Sequence, residues 1–371
     1  MGWFYDFDSF KALTDAEFEE VKALSGEHDV EETGLGKRLW VDKFQFEAPL
    51  LLLDIKSILF KSSQLDKLPE IVKTGSQVHY KMTGIGKITS PKLVRKQQFK
   101  LAGVNLKSPR DAVGLTTSLW QGSNVKVTVI DSSFNLTSAQ LNKFAHRIIN
   151  FTQKPLGKEI SHGTKVTSII AGADFSIAPQ AELFIACVSP SLGCLAVALI
   201  WAAKQKVDII NVSKVIGQSD TASGIPKLLQ RAVDFCTRNN CLIVSASSDF
   251  SNGPCSALAL IPQVVSVNSM ISDNSLIFNS VQAGDLYKID CVTWGRKIMS
   301  LNDFASAEQG PFNYASAATP IVTASVAIFK QMRPKITSMQ KLKTCFFTEF
   351  CAKHSSGGEL WGRGTVSFKN I

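Results

Sequence analysis

The feature that most constrains the fold is an alternation of strand-like and helix-like segments from about residue 107 onward. Runs rich in β-branched residues occur at residues 125–130, 181–188, 207–212, 241–246 and 264–267. Stretches with helical periodicity lie between them, at residues 163–172, 193–206 and 225–239. Strands that alternate with helices predict an α/β fold with a parallel sheet flanked by helices. Functional residues are then expected at the carboxyl ends of the strands.

The first 106 residues lack this alternation. Residues 1–32 carry ten acidic and two basic side chains, whereas residues 73–110 carry nine basic side chains and no acidic one. A short helix capped by Thr14 is predicted over residues 13–24. The sequence therefore predicts a smaller amino-terminal domain of unknown fold at residues 1–106, followed by the α/β domain at residues 107–371. The two oppositely charged stretches could pair with each other.

Charge and apolar runs restrict the partners. The formal net charge is +9, which favours acidic partners in general. The basic stretch has few interleaved aromatic residues, so no nucleic-acid partner is predicted. The first 20 residues carry acids where a secretory signal carries a basic segment and an apolar core. The longest apolar run is shorter than the about 20 residues that span a bilayer. A cytoplasmic protein without a membrane partner is expected.

The chain has eight cysteines and no C-x-x-C pair. Buried thiols in a reducing compartment are therefore expected. Disulfides would require an export route that no signal segment indicates. The two close pairs, Cys187 with Cys194 and Cys345 with Cys351, are interpreted as packing residues and not as metal or redox sites, because their neighbours are apolar.

Three residues carry the types of group that nucleophilic catalysis by a hydroxyl needs. Asp131 ends a strand-like run, His162 begins a helical stretch and Ser316 begins another. A hydroxyl nucleophile requires a base to take its proton and a carboxylate to orient that base. Each residue alone is better explained as a cap or a turn residue. Only the three residues taken together favour catalysis over these explanations.

The three residues lie in short motifs. The sequence has Val-Ile-Asp at 129–131, Ser-His-Gly-Thr-x-Val at 161–166 and Ser-Ala-Ala-Thr-Pro at 316–320. These motifs resemble those of the subtilisin-like serine proteases, the subtilase family. Further elements that match this family lie at residues 177–181, 200–203, 207–213 and 361–366. The resemblance covers about residues 108–371 and implies a subtilisin-like sheet.

The resemblance also implies roles for individual residues. Ser316 would be the nucleophile, His162 the general base and then acid, and Asp131 the carboxylate that orients His162. The substrate would be a polypeptide, bound as an added strand along Ser213, Lys214 and Val215. No cofactor is required. Calcium sites are frequent in the family, but this sequence has no acid-rich loop in which ligands could be assigned.

Two departures from the family pattern affect the expected site. Tyr314 and Ala315 stand where the family has Gly-Thr before its serine, so Tyr314 is expected to reshape the primary pocket. The oxyanion hole is expected at Asp249 and Ser316, but Asp249 occupies the position of the family's asparagine donor. An ionised carboxylate cannot donate a hydrogen bond. Three explanations stay open: a protonated Asp249, a donor from Asn252 or Ser248, or the backbone N–H of Ser316 alone.

The functional prediction is a serine endopeptidase that forms an acyl-enzyme, with narrow specificity and an intracellular processing role. Two alternatives use the same scaffold. One is a pseudoprotease that binds peptides or partner proteins, and the other is a peptide cyclase or acyl transferase in which an amine replaces water. The amino-terminal domain is expected to be a prosegment, a substrate-recruiting domain or a cap that binds the catalytic domain.

Overall fold

The structure is a computed structural model. It describes residues 7, 9–24, 30–39, 48–74, 76–78, 106–115, 119–137, 141–152, 156, 161–189, 191–214, 225–248, 255–272, 275–276, 287–301, 309–353 and 358–369. The basic stretch lies mostly outside these residues, as do Val215, Asp249 and Asn252.

The described part of the amino-terminal region forms an antiparallel sheet, here called the amino-terminal sheet. Its six strands lie in the order β2-β3-β4-β5-β1-β6. The strands are β1 (Ser9–Ala12), β2 (Val30–Glu32), β3 (Lys37–Leu39), β4 (Leu50–Leu52), β5 (Ser57–Phe60) and β6 (Gln77–Val78). Helices α1 (Asp15–Leu24) and α2 (Glu70–Lys73) accompany them, and short 3₁₀ segments lie at Leu53–Ile55 and Ser62–Lys67.

Helix α1 begins close to its predicted start because Thr14 and Glu17 form a capping box. The Glu17 N–H donates to Thr14 Oγ1 at 3.3 Å, and the Thr14 N–H donates to Glu17 Oε2 at 2.8 Å. Phe18 and Val21 are buried against the sheet in a small core of their own. The predicted helix over residues 13–24 is confirmed.

The second part of the chain contains the predicted alternation. Its helices are α3 (Pro109–Val113), α4 (His162–Ala171), α5 (Leu192–Lys204), α6 (Lys227–Arg238), α7 (Ala315–Met332) and α8 (Met339–Phe350). Its strands are β7 (Lys126–Asp131), β8 (Ile148–Asn150), β9 (Glu182–Cys187), β10 (Ile209–Val212), β11 (Leu242–Ala246), β12 (Val265–Ser272), β13 (Ser275–Leu276), β14 (Cys291–Trp294), β15 (Ile298–Leu301), β16 (Gln309–Phe312), β17 (Cys351–Ala352) and β18 (Thr365–Val366). Further 3₁₀ segments lie at Asn142–Arg147 and Glu359–Trp361.

The main sheet is mostly parallel, as the alternation predicts. Its order is β17-β18-β14-β12-β11-β10-β7-β9-β8, with β13 paired to β12. The pairs from β8 to β14 along this path are all parallel, and the antiparallel pairs involve β13 and β17. Strand β7, which ends at Asp131, lies between β9 and β10.

Alternating side chains place different helices on the two faces of this sheet. Val127 and Val129 of β7 pack with α4, α7 and α8 on one face. Ile130 packs with α5 and α6 on the other face. Because successive side chains of a strand point to opposite faces, β7 contributes apolar side chains to the cores on both sides of the sheet.

The amino-terminal sheet covers the face of α5 and α6. Phe10 and Leu59 share a hydrophobic core with α5 and α6. Polar contacts continue this interface, since Arg231 of α6 donates to the carbonyls of Leu13 and Lys56 at 2.9 and 2.6 Å. The two parts of the chain therefore share one apolar core on this side of the main sheet.

All eight cysteines fall within the described residues and are free thiols, six of them buried. The prediction of buried thiols is confirmed. Within the described ranges, no helix combines the length and the apolar character needed to cross a membrane.

Candidate active site

Asp131 lies at the carboxyl end of β7 and is fully buried. Its Oδ2 lies 2.7 Å from His162 Nδ1, and its Oδ1 accepts a hydrogen bond from the Ser132 N–H at 2.6 Å. Burial opposes ionisation, but the attraction of His162 and Lys214 and these hydrogen bonds outweigh it, so the pKa of Asp131 lies below its ordinary value. Asp131 is therefore a buried carboxylate.

His162 is the first residue of α4 because the chain around it fixes the start of the helix. Ser161 donates from its Oγ to the Ser133 carbonyl at 2.6 Å, and Thr164 Oγ1 accepts from the Asn135 N–H at 2.8 Å. Gly163 allows the close approach, since a Cβ there would lie 2.5 Å from the Ser133 oxygen. The Ser-His-Gly-Thr motif thus joins the start of α4 to the loop that follows Asp131.

The His162 ring is held at two points. Its Nδ1 bonds to Asp131, and the Phe312 ring meets it edge-on with centroids 5.2 Å apart. The side chain is 20% exposed. A neutral imidazole that donates from Nδ1 presents Nε2 as a proton acceptor. His162 can therefore act as a base through Nε2.

Ser316 is the second residue of α7 and is buried, with 3% of its surface exposed. Its Oγ donates to the Ser213 carbonyl at 2.9 Å. Helix α7 packs against both α4 and β10. Its register with β10 is fixed by Thr323, which donates to Asn211 Oδ1 at 2.8 Å, while Asn211 donates to Ser213 Oγ at 2.9 Å.

These elements place Asp131 and His162 in contact, and Ser316 against Ser213, at one end of the main sheet. Ser213 comes directly after the adjacent strand β10. A carboxylate, an imidazole and a hydroxyl near a helix start are the groups of a nucleophilic hydrolase. The N–H groups of the first turn of α7 also carry a partial positive charge that favours an oxyanion.

Tyr314 precedes α7 in an unusual backbone conformation, with φ 72° and ψ −163°. This region of backbone space is occupied almost only by glycine. In the family pattern, the position of Tyr314 is a glycine. The backbone of Tyr314 adopts a conformation that suits glycine. The side chain is 45% exposed, so a tyrosine ring stands at the surface beside the residue that precedes Ser316.

The Lys214 side chain makes a contact that the sequence did not predict. Its ammonium lies 3.9 Å from Asp131 Oδ1 and its side chain is only 6% exposed. Pairing of the Lys214 backbone with a substrate strand stays a prediction. No motif signals this contact, because a lysine after a strand is usually solvated. Ser248, one of the candidate oxyanion donors, is buried after β11. The predictions for Val215, Asp249 and Asn252 lie outside the described residues.

Among the described residues, no cluster of three or more His, Cys, Asp or Glu side chains could hold a metal ion. Cys187 ends β9 beside Asp131, and burial together with the Asp131 charge raises the pKa of its thiol to about 12. Cys187 is therefore a neutral neighbour of the site.

Comparisons with known proteins agree with this arrangement. The sequence model of the subtilase family matches residues 122–352, so the chain belongs to the subtilase family. It is a serine protease. Subtilisin NAT from Bacillus subtilis subsp. natto is 28% identical over 271 residues, which cover 69% of this chain and 68% of that protein. Subtilisin Savinase from Lederbergia lenta is 28% identical over 230 residues, which cover 59% of this chain and 81% of that protein.

Solved structures share the fold. The prenylagaramide maturation protease PagA is 24% identical with a TM-score of 0.55, and the match covers 66% of this chain and 90% of that chain. The patellamide maturation protease PatA is 20% identical with a TM-score of 0.53, over 66% of this chain and 94% of that chain. The subtilisin-like, helix-flanked sheet predicted from the sequence is thereby confirmed.

Proposed function

We propose that the protein hydrolyses peptide bonds through an acyl-enzyme formed on Ser316. The hydrogen bond of 2.7 Å between Asp131 and His162 is the observation that carries the proposal, because a buried carboxylate on Nδ1 leaves Nε2 to accept a proton. The groups lie at the carboxyl end of a parallel sheet, where ligands of such sheets bind.

The reaction would run in two steps. Ser316 Oγ attacks the scissile carbonyl carbon while its proton passes to His162 Nε2, and that proton then moves to the leaving amine as the C–N bond breaks. Water next gives a proton to His162 and attacks the ester carbon. The bond between this carbon and Ser316 Oγ then breaks, the proton on His162 returns to Ser316 Oγ, and the carboxylic acid product leaves. Asp131 stays ionised throughout and stabilises the imidazolium. The Ser316 N–H, with Asp249, Ser248 or Asn252 as candidate second donors, would bind the oxyanion.

Substrate choice is proposed to be narrow. Tyr314 places a large side chain where the family has glycine, two residues before Ser316. Ser213, Lys214 and Val215 are proposed to pair with an extended substrate. A protease that processes a few peptides fits these features, and the free cysteines suit a reducing, intracellular location.

Residues 1–106 are proposed to form a separate domain that caps the catalytic domain at residues 107–371. The support is the apolar core that the amino-terminal sheet shares with α5 and α6, and Lys204 of α5, which lies 2.8 Å from Asp54 Oδ2. A domain removed after folding would expose this apolar face. If residues 1–106 are a prosegment, the purified chain is expected to cleave itself on incubation. A chain that stays intact and is fully active would exclude a prosegment.

A fluorophosphonate probe tests the activity itself. Wild type is expected to gain one phosphonate on Ser316, and Ser316→Ala and His162→Ala are expected to gain none. A peptide library analysed by mass spectrometry then separates hydrolysis from acyl transfer, since only the latter yields cyclic or amine-linked products. Absence of labelling in a folded wild-type protein would favour the pseudoprotease.

A further inference from the structure

Lys214 places a buried positive charge beside the proposed catalytic carboxylate. Its ammonium lies 3.9 Å from Asp131 Oδ1, with 6% of the lysine side chain and none of the aspartate side chain exposed. Among the described residues, Asp131 is its sole acidic partner. Lysine is rarely this buried unless a charge compensates it.

The two oxygens of Asp131 have different partners. Oδ2 bonds to His162 Nδ1, whereas Oδ1 accepts from the Ser132 N–H and faces the Lys214 ammonium. The carboxylate therefore lies between an imidazole and the Lys214 ammonium. Cys187 is a further ionisable neighbour of Asp131, but burial and the Asp131 charge raise the pKa of its thiol to about 12, so Cys187 adds no charge to this group.

The charges determine what Lys214 does. With a neutral His162, the Asp131 carboxylate and the Lys214 ammonium sum to zero, and protonation of His162 gives the group a net charge of +1. Without Lys214, the same protonation would take the group from −1 to zero. A nearby cation disfavours a second one in a poorly solvated site. Lys214 therefore opposes formation of the imidazolium and helps to keep Asp131 ionised while His162 is neutral.

We propose that Lys214 is a positioning residue that acts through Asp131 and sets the pH range in which His162 is an unprotonated base, extending it toward acid. This inference rests on the proposed function. A contact with an acidic substrate side chain is the competing role, but the ammonium is buried against Asp131 and is not presented to solvent.

The test compares Lys214→Met, which keeps the length and apolar stem, with Lys214→Arg, which keeps the charge. The rate of fluorophosphonate labelling of the full chain is measured from pH 5 to 9. In Lys214→Met, the fall of the labelling rate at acidic pH is expected to move toward higher pH by about half a pH unit to one unit. At a given pH in this range, labelling is then about three- to tenfold slower than in wild type. In Lys214→Arg, the labelling rate is expected to fall at the same pH as in wild type.

A second measurement does not depend on activity. In Ser316→Ala protein, the titration of His162 is followed by NMR, its signal being assigned by its loss in His162→Gln. Adding Lys214→Met, or Lys214→Gln if the methionine variant does not fold, is expected to move this titration to higher pH by the same amount. An unchanged titration would overturn the role of Lys214. If the fluorophosphonate does not label wild type but the His162 titration shifts in the Lys214 variant, the proposed function is rejected and the role of Lys214 stands.

Discussion

The Nδ1 of His162 and the Oδ2 of Asp131 lie 2.7 Å apart although 31 positions separate the two residues in the chain. Asp131→Asn tests what this contact does. An amide can donate to Nδ1 and so favours the tautomer with its proton on Nε2, which cannot accept the Ser316 proton. Fluorophosphonate labelling of Ser316 is expected to slow by about 10⁴. A loss of less than tenfold in a folded variant would contradict the proposed role.

Gly163 sets the distance between the start of α4 and the loop after Asp131. A Cβ at this position would lie 2.5 Å from the Ser133 carbonyl oxygen and 2.6 Å from the Phe134 ring. Gly163→Ala is therefore expected to lower the free energy of unfolding by about 1–3 kcal/mol and to slow labelling of Ser316, because His162 moves with the helix. Thermal unfolding and labelling rates measure the two effects.

Gly358→Ala provides the matched control. An added Cβ there meets nothing within 4 Å, and the φ of 176° is extended backbone that any residue can adopt. The control should unfold and label like wild type. Equal behaviour of the two variants would show that the close approach at Gly163 is unimportant.

The sequence predicted the parts of the molecule that depend on local patterns. The strand that ends at Asp131, the helix that begins at His162 and the helix that begins one residue before Ser316 follow from periodicity and short motifs. The amino-terminal sheet could not be predicted, since strands of two to four residues carry too little pattern. The Lys214 contact was also missed, because it depends on how one side chain turns after a strand.

Tyr314 stores backbone strain directly before α7. Its φ of 72° and ψ of −163° suit glycine, and a non-glycine residue in such a region costs on the order of 1–3 kcal/mol. Tyr314→Gly is therefore expected to be more stable than Tyr314→Ala by about 1 kcal/mol, although glycine usually destabilises relative to alanine. The comparison removes the ring from both variants. Denaturant unfolding measures the difference, and a more stable alanine variant would exclude strain at this position.

Glu17 makes the amino-terminal sheet sensitive to acid. The Thr14 N–H and the Lys11 ammonium bind its carboxylate at 2.8 and 2.9 Å, and these contacts lower its pKa from 4.5 to about 2. Because the folded-state pKa is depressed, the carboxylate stabilises the fold above about pH 4.5 and loses this effect as the pH falls toward about 2.

Glu17→Gln is expected to lower the unfolding temperature at pH 7, and the gap to wild type should close as the pH falls through this window. Glutamine keeps a capping side chain, so the change isolates the charge. Glu19→Gln is the control, since Glu19 is 67% exposed and pairs with Lys22 on the surface, where such pairs contribute little. A gap that is constant with pH would show that the Glu17 charge is not responsible.

Arg231 of α6 forms hydrogen bonds to backbone carbonyls next to strands β1 and β5 of the amino-terminal sheet. Its guanidinium donates to the carbonyls of Leu13, Ile55 and Lys56 at 2.9, 3.1 and 2.6 Å. Arg231→Met keeps the apolar stem but removes all three hydrogen bonds between α6 and the amino-terminal sheet. The Lys56 and Ile55 carbonyls keep a second donor each, so the cost falls mainly on the partly buried Leu13 carbonyl. Faster amide hydrogen exchange is therefore expected in β1 and β5, with little change in β7 and β10. Lys227→Met, an exposed position on the same helix, should leave the exchange of β1 and β5 as in wild type. If the amides of β1 and β5 exchange equally slowly in both variants, the apolar core alone holds the amino-terminal sheet against α6.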